Sequence, residues 1–225
     1  MKKGLLITLD GIDGSGKKTQ INRLYEKLIY FGYRVYAADF PQYNRLSSGA
    51  IIKYLNGAYG ELNSVSPYIT SIFYAIDRYD ASFKIKNWLN EGAIILINRY
   101  VNSNLAHQGA KISDPLERRA FTNWVIGLEY KLFKIPRPDL NIILDLPATI
   151  AENLVLKKTP RNYIINGRKD IHELDSLYLE KTREIYLEIG SRQPNTIIIN
   201  CSPENRLLTI SEIHDKIWNK VAKII

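Results

Sequence analysis

A chain of 225 residues, 45% hydrophobic and 24% charged, is long enough for one α/β core and has the balance of an ordinary globular protein, which excludes disordered and fibrous classes. The formal charge of +8 favours anionic partners, but phosphorylated small molecules satisfy it as well as nucleic acid does, and no nucleic-acid motif accompanies it. The single cysteine, Cys201, excludes an internal disulfide and fits a reducing compartment, and no stretch approaches the roughly 20 apolar residues that span a bilayer.

The basic start Met1-Lys2-Lys3 leads into an apolar run, Leu5–Leu9, that stops at Asp10 and is too short for a signal peptide. It reads as a strand. The run breaks into Gly11-Ile12-Asp13-Gly14-Ser15-Gly16-Lys17-Lys18-Thr19. A strand entering a glycine-rich loop that ends in lysine and opens a helix is the layout of a P-loop, whose backbone N–H groups cradle phosphates while the lysine reaches the outer ones. The helix N-terminus adds partial positive charge there. Gly11, Gly16 and Lys17 hold the required spacing, and Lys18 stands where the pattern has a Ser or Thr on Mg²⁺. Nucleotide binding is the expectation for residues 11–19.

Further strands are expected at Arg34–Phe40, Ala93–Ile97, Leu140–Leu146 and Thr196–Asn200. Amphipathic helices are expected near Lys17–Tyr30, Pro67–Leu89, Pro115–Phe133, Asp170–Ile189 and Ser211–Ile224. Nearly continuous apolar strands alternating with helices predict a doubly wound, five-stranded parallel sheet covered on both faces, in one domain spanning 1–225. Such sheets bind ligands beyond the carboxyl ends of their strands. Polar clusters fall there at Asp10–Thr19, Phe40–Arg45, Asn98–Gly109 and Cys201–Arg206. The basic segment Lys157–Asp170, with Pro160 and Gly167, reads as a solvated loop or, beside a phosphate loop, as a lid that closes over phosphates.

Other segments follow in order: Phe40-Pro41, then Tyr74-Ala75-Ile76-Asp77-Arg78, then Asn98-Arg99-Tyr100 with Ser103, Asn104, His107 and Gln108. Pro138-Asp139-Leu140 leads into Leu144-Asp145-Leu146-Pro147, and Asp170 and Glu173 precede Arg183 and Tyr186. Together with the glycine loop, this order and spacing resembles the thymidylate kinase family over nearly the whole chain. The resemblance implies a P-loop nucleoside monophosphate kinase that moves the γ-phosphoryl group of ATP to dTMP. It also implies Mg²⁺, small-molecule nucleotides as partners, no nucleic acid or membrane, and a cytoplasmic homodimer.

Carried over by position, Lys17 and the loop hold the donor phosphates, and Arg99 clamps the acceptor phosphate, with Arg45 or Tyr43 assisting after Phe40. Asp13 matches the position near the deoxyribose 3′-hydroxyl. Arg78, Ser103, Asn104 and Gln108 match positions that read or line the pyrimidine pocket, and Tyr74, or else Phe73, stacks on the base. Gly14 lies where some members carry a catalytic arginine; members without it use lid cations, here Arg161, Arg168 or Lys169. Three positions depart from the pattern. Lys18 replaces the hydroxyl, Asn98 replaces the aspartate of an Asp-Arg pair, and Leu154 stands where arginine is frequent, with Lys157 and Lys158 as substitutes. No residue is assigned to the metal. Two alternatives stay open: a deoxynucleoside kinase, whose acceptor is uncharged, and a nucleotide-binding homologue without turnover. Taken singly, Arg78 could instead pair with Asp77 or Asp80 on the surface, Ser103 could cap a helix, and Phe73 and Tyr74 could be core.

Overall fold

The computed structural model describes residues 3–156 and 176–225. Five strands form one parallel sheet: β1 (Leu5–Asp10), β2 (Val35–Asp39), β3 (Ile94–Asn98), β4 (Leu140–Asp145) and β5 (Thr196–Asn200), in the order β2-β3-β1-β4-β5. All four pairings are parallel, with Leu9 opposite Asn98 and Asp10 opposite Ile143. This is the α/β sheet expected from the alternation of apolar runs and helices. The central strands are buried on both faces, so Leu6, Ile7, Leu9, Ile95, Leu96, Ile142 and Ile143 make the middle of the core.

The helices are α1 (Lys17–Tyr30), α2 (Gly49–Leu55), α3 (Pro67–Asn90), α4 (Val101–Gly109), α5 (Pro115–Ile126), α6 (Ala148–Leu156), α7 (Ser176–Arg192) and α8 (Ile210–Val221). Their starts follow local chemistry. Ser66 caps α3 ahead of Pro67, Asp114 caps α5 ahead of Pro115, and Thr209 and Glu212 form a reciprocal capping box on α8.

Three helices were not among the five expected. Helix α4 is buried on every side, from Val101 to Gly109, so its sequence carries no polar stripe and reads as a loop. Helices α2 and α6 have seven and nine residues, which leaves too little periodicity to see. The stretch expected to run as one helix to Phe133 instead ends at Ile126 and passes into a π-helical turn, Gly127–Leu132. Residues 157–175, which hold the expected lid with Arg161, Arg168 and Lys169 and the matched Asp170 and Glu173, lie outside the described residues.

Every strand ends in Asp or Asn: Asp10, Asp39, Asn98, Asp145 and Asn200. Succession runs from β1 outward to β2 on one side, while β4 and β5 add on the other. The reversal of direction at β1 opens a crevice beyond its carboxyl end, between the loops that follow β1 and β3. Among the described residues, no helix is long and apolar enough to cross a membrane.

Candidate active site

The loop after β1 is shaped by three left-handed glycines, Gly11, Gly14 and Gly16, with Gly16 as the N-cap residue of α1. Gly14 has φ +86°, and a Cβ there would come within 2.8 Å of the Ala151 carbonyl carbon in α6. A side chain at this position therefore runs into α6. Lys17 is buried and folds back over the loop, its Nζ donating to the carbonyl oxygens of Gly11 at 2.9 Å and Ile12 at 2.8 Å. Ile12 and Ser15 are buried, whereas Lys18 and Thr19 face solvent.

Arg99 follows β3 with φ +64°, a conformation uncommon for a residue with a Cβ. Two bonds across to β1 fix it: the Arg99 amide donates to Leu9 O at 3.0 Å, and the next amide, of Tyr100, donates to Asp10 Oδ1 at 3.1 Å. Burial raises the Asp10 pKa against the pull of that amide and of Arg99. So held, Arg99 turns toward the glycine loop. Its Nη2 donates to Asp13 Oδ1 at 2.7 Å, and its Nη1 donates to Ser103 Oγ at 2.8 Å and to His107 Nε2 at 3.0 Å. Arginine has no acceptor, so His107 Nε2 accepts and the ring proton sits on Nδ1, 3.4 Å from the Tyr178 hydroxyl. Ser103 lies inside α4 and caps nothing; its Oγ also accepts from the Tyr186 hydroxyl at 2.9 Å.

Arg78 is not on the surface. It is 2% exposed, and its Nε and Nη2 each donate to Glu129 at 2.6 Å, a bidentate pair with a carboxylate that is 0% exposed. Burial works against the Arg78 charge, yet the Glu129 carboxylate outweighs it and the guanidinium pKa is raised. Asp77, the first surface partner considered, is itself buried. It accepts from the Gln42 amide at 2.8 Å and the Ser47 hydroxyl at 2.6 Å, which ties the loop after β2 to α3.

A cavity of about 480 Å³, counting its open mouth, is lined by Asp13 and Arg99 together with Arg78, Asn104 and Gln108. Phe40, Tyr43, Tyr74, Ser103 and His107 complete its walls. Phe73 packs on a satellite cluster with Ile51, Tyr54 and Leu55 and is not part of the lining, and Arg45 is exposed outside it. Gln108 is fully buried, and neither its Oε1 nor its Nε2 has a hydrogen-bond partner among the described residues; the same holds for Asn104 Oδ1 and Asn98 Oδ1. Unpaired buried amides are costly, and here two of the three line a cavity.

Behind the glycine loop, Arg183 Nε donates to Asp145 Oδ1 and its Nη1 to Glu180 Oε1, both at 2.6 Å, while Glu180 Oε2 accepts the Ala148 amide at 3.0 Å. Arg183 thus joins α7 to the end of β4, and Glu180 joins it to the start of α6. Glu129 and Asp10 were missed as site residues from sequence. Asp10 reads only as the end of a strand, and Glu129 sits 51 positions from Arg78 in a segment that no spacing relates to it.

A family model described as thymidylate kinase matches residues 9–217. The chain belongs to the thymidylate kinase family. It is 32% identical over 209 residues to a probable thymidylate kinase of Pyrobaculum aerophilum, covering 92% of this chain and 94% of that protein. A probable thymidylate kinase of Thermococcus onnurineus is also 32% identical, over 95% of both chains, and the thymidylate kinase of Mycobacterium tuberculosis is 27% identical over 84% of this chain and 86% of its own. The solved structure of thymidylate kinase from Candida albicans superposes with a TM-score of 0.72 at 24% identity, over 98% of this chain and 92% of that one. The likeness extends over the whole sheet.

Proposed function

We propose that this chain is a thymidylate kinase, transferring the γ-phosphoryl group of ATP to the 5′-phosphate of dTMP to give dTDP and ADP. The observation that carries the reading is the single cavity joining Arg99 and Asp13 to Arg78, Asn104 and Gln108, in a chain matched to this family over residues 9–217. Its lining holds two networks, Arg99 with Asp13 and Arg78 with Glu129 and Asn104, which suit the phosphate and the base of a nucleotide.

Phosphoryl transfer asks a protein mainly for alignment and for charge to offset the phosphates. In this reading the glycine loop and Lys17 form the P-loop. Lys17 exchanges its two carbonyl partners for the outer phosphates of ATP. Arg99 presents a guanidinium fork to the acceptor phosphate, and Ser103 and His107 hold that fork in place. Asp13, now on Arg99, takes the deoxyribose 3′-hydroxyl. Tyr74 stacks on the base. The amides of Gln108 and Asn104 and the Arg78 donors meet a pyrimidine edge carrying one carbonyl and one N–H.

Mg²⁺ fits the residues present: Asn98 Oδ1 is a buried oxygen with no hydrogen-bond partner among the described residues, and Asp10 ends the adjacent strand. These two would hold the ion or its water shell, and when bound it neutralises phosphate charge.

Helix α3 also carries Ile69, Ile76, Tyr79 and Phe83, all 40% exposed or more. Their spacing places them along one side of the helix, which supports a homodimer formed through α3. A cytoplasmic location goes with the nucleotide chemistry and with Cys201, a buried free thiol.

A coupled assay with dTMP, dUMP and thymidine tests the function. The expected result is dTDP from dTMP and no turnover of thymidine, because an uncharged acceptor leaves Arg99 without its phosphate. Turnover of thymidine alone identifies a deoxynucleoside kinase instead. Calorimetric binding of ATP and dTMP without product at any Mg²⁺ concentration identifies a binding protein.

A further inference from the structure

Arginine carries five N–H donors in a rigid planar fork, so fixing one edge of the guanidinium fixes the direction of the rest. At Arg78 the Nε–Nη2 edge is taken by both oxygens of Glu129, and Nη1 has no hydrogen bond among the described residues. Arg78 nonetheless lines the cavity. Glu129 Oε1 lies 3.4 Å from Asn104 Nδ2, whose amide also donates to Ser71 O at 3.3 Å. One carboxylate therefore touches two of the cavity's polar groups, Arg78 and Asn104.

Glu129 sits in the six-residue π turn that follows α5, between the half-buried Leu128 and Tyr130. Phe121, Val125 and Glu129 recur at four-residue spacing on the buried face, so the acidic side chain takes a place where α5 otherwise presents apolar ones. Burying a carboxylate is unfavourable unless it is fully bonded, so a hydrophobic residue would fill the space at lower cost.

We propose that Glu129 is a positioning residue for pyrimidine selection, holding the Arg78 guanidinium by one edge so that its remaining donors face the base. The inference rests on the nucleotide reading above. Donors facing the base match the carbonyl beside the ring N–H of thymine or uracil and oppose the exocyclic amine of cytosine. With its edge released, the guanidinium turns, and the preference falls.

The test uses the full chain and Glu129→Gln, which keeps shape but removes the charge and one acceptor. Binding of dTMP and dCMP is measured by calorimetry, which does not require turnover, beside kcat, KM for both substrates and the melting temperature. The expected result is a Kd for dTMP raised about tenfold or more, a dTMP-to-dCMP affinity ratio lowered by a similar factor, and KM for ATP unchanged. Adding Glu129→Gln to Arg78→Ala should leave the ratio of that single variant where it is. Should Glu129→Gln fail to fold, Glu129→Asp, which retracts the carboxylate by one methylene, is read in the same way. A selective parent whose ratio survives Glu129→Gln overturns the proposal, leaving Glu129 a structural partner only. A parent that does not bind dTMP overturns the nucleotide reading as well.

Discussion

The backbone at Arg99 offers a way to ask whether strain is spent on aiming a functional side chain. Arg99 has φ +64°, and cross-strand bonds at its own amide and that of Tyr100 hold it there. A Cβ in the left-handed region costs about 1–2 kcal/mol, which glycine does not incur. Arg99→Ala and Arg99→Gly delete the same guanidinium, so the lost bonds to Asp13, Ser103 and His107 cancel between them. Glycine brings a looser unfolded chain, worth about 0.4–1 kcal/mol against it. The difference leaves Arg99→Gly more stable than Arg99→Ala by up to about 1.6 kcal/mol, or roughly 3–6 °C in melting temperature for a domain of this size. Urea unfolding and thermal melts of the two variants, run side by side, read that difference. Both should lose dTMP turnover equally, by about a hundredfold or more, as expected when a charge-stabilising donor is removed. An alanine variant more stable than the glycine one refutes the claim that Arg99 is held against a backbone preference.

Burial lowers the Lys111 pKa to about 7, beside the Tyr54 hydroxyl. The unfolded chain keeps the ordinary lysine value, so between about pH 7 and 10.4 it binds more protons than the folded protein, and the burial penalty, full below pH 7, fades as pH rises. Lys111→Met should therefore raise the melting temperature most at or below pH 7 and progressively less toward pH 10; a pH-independent effect counts against the burial argument. Lys18 is exposed, so Lys18→Thr should shift stability by less than about 0.5 kcal/mol. Titration with ATP should then show weaker binding, most clearly when Mg²⁺ is scarce, and unchanged affinity would mean that Lys18 points away from the phosphates. If α3 joins two copies, Ile76→Glu with Phe83→Glu should halve the sedimenting mass and keep the helical circular dichroism; an unchanged mass rules out that face.

The sheet was legible in the sequence because burial on both faces makes each central strand a short apolar run, and because Gly11, Gly16 and Lys17 are local signals. Arg78, Tyr74 and Gln108 could be picked out through their order along the chain, a pattern that carries no distances. Tertiary structure decided the rest. Polar residues buried all round an element leave no periodic stripe, so α4 reads as a loop although it supplies Ser103, Asn104, His107 and Gln108. Glu129 meets Arg78 across 51 positions because the turn that follows α5 packs against α3. Likewise, Phe73 and Tyr74 both pack against α2, and only the fold shows that Tyr74 also lines the cavity. Local sequence determines which elements form. Which side chains meet is fixed by how those elements pack, and most of the partners in this site are dozens of residues apart in the chain.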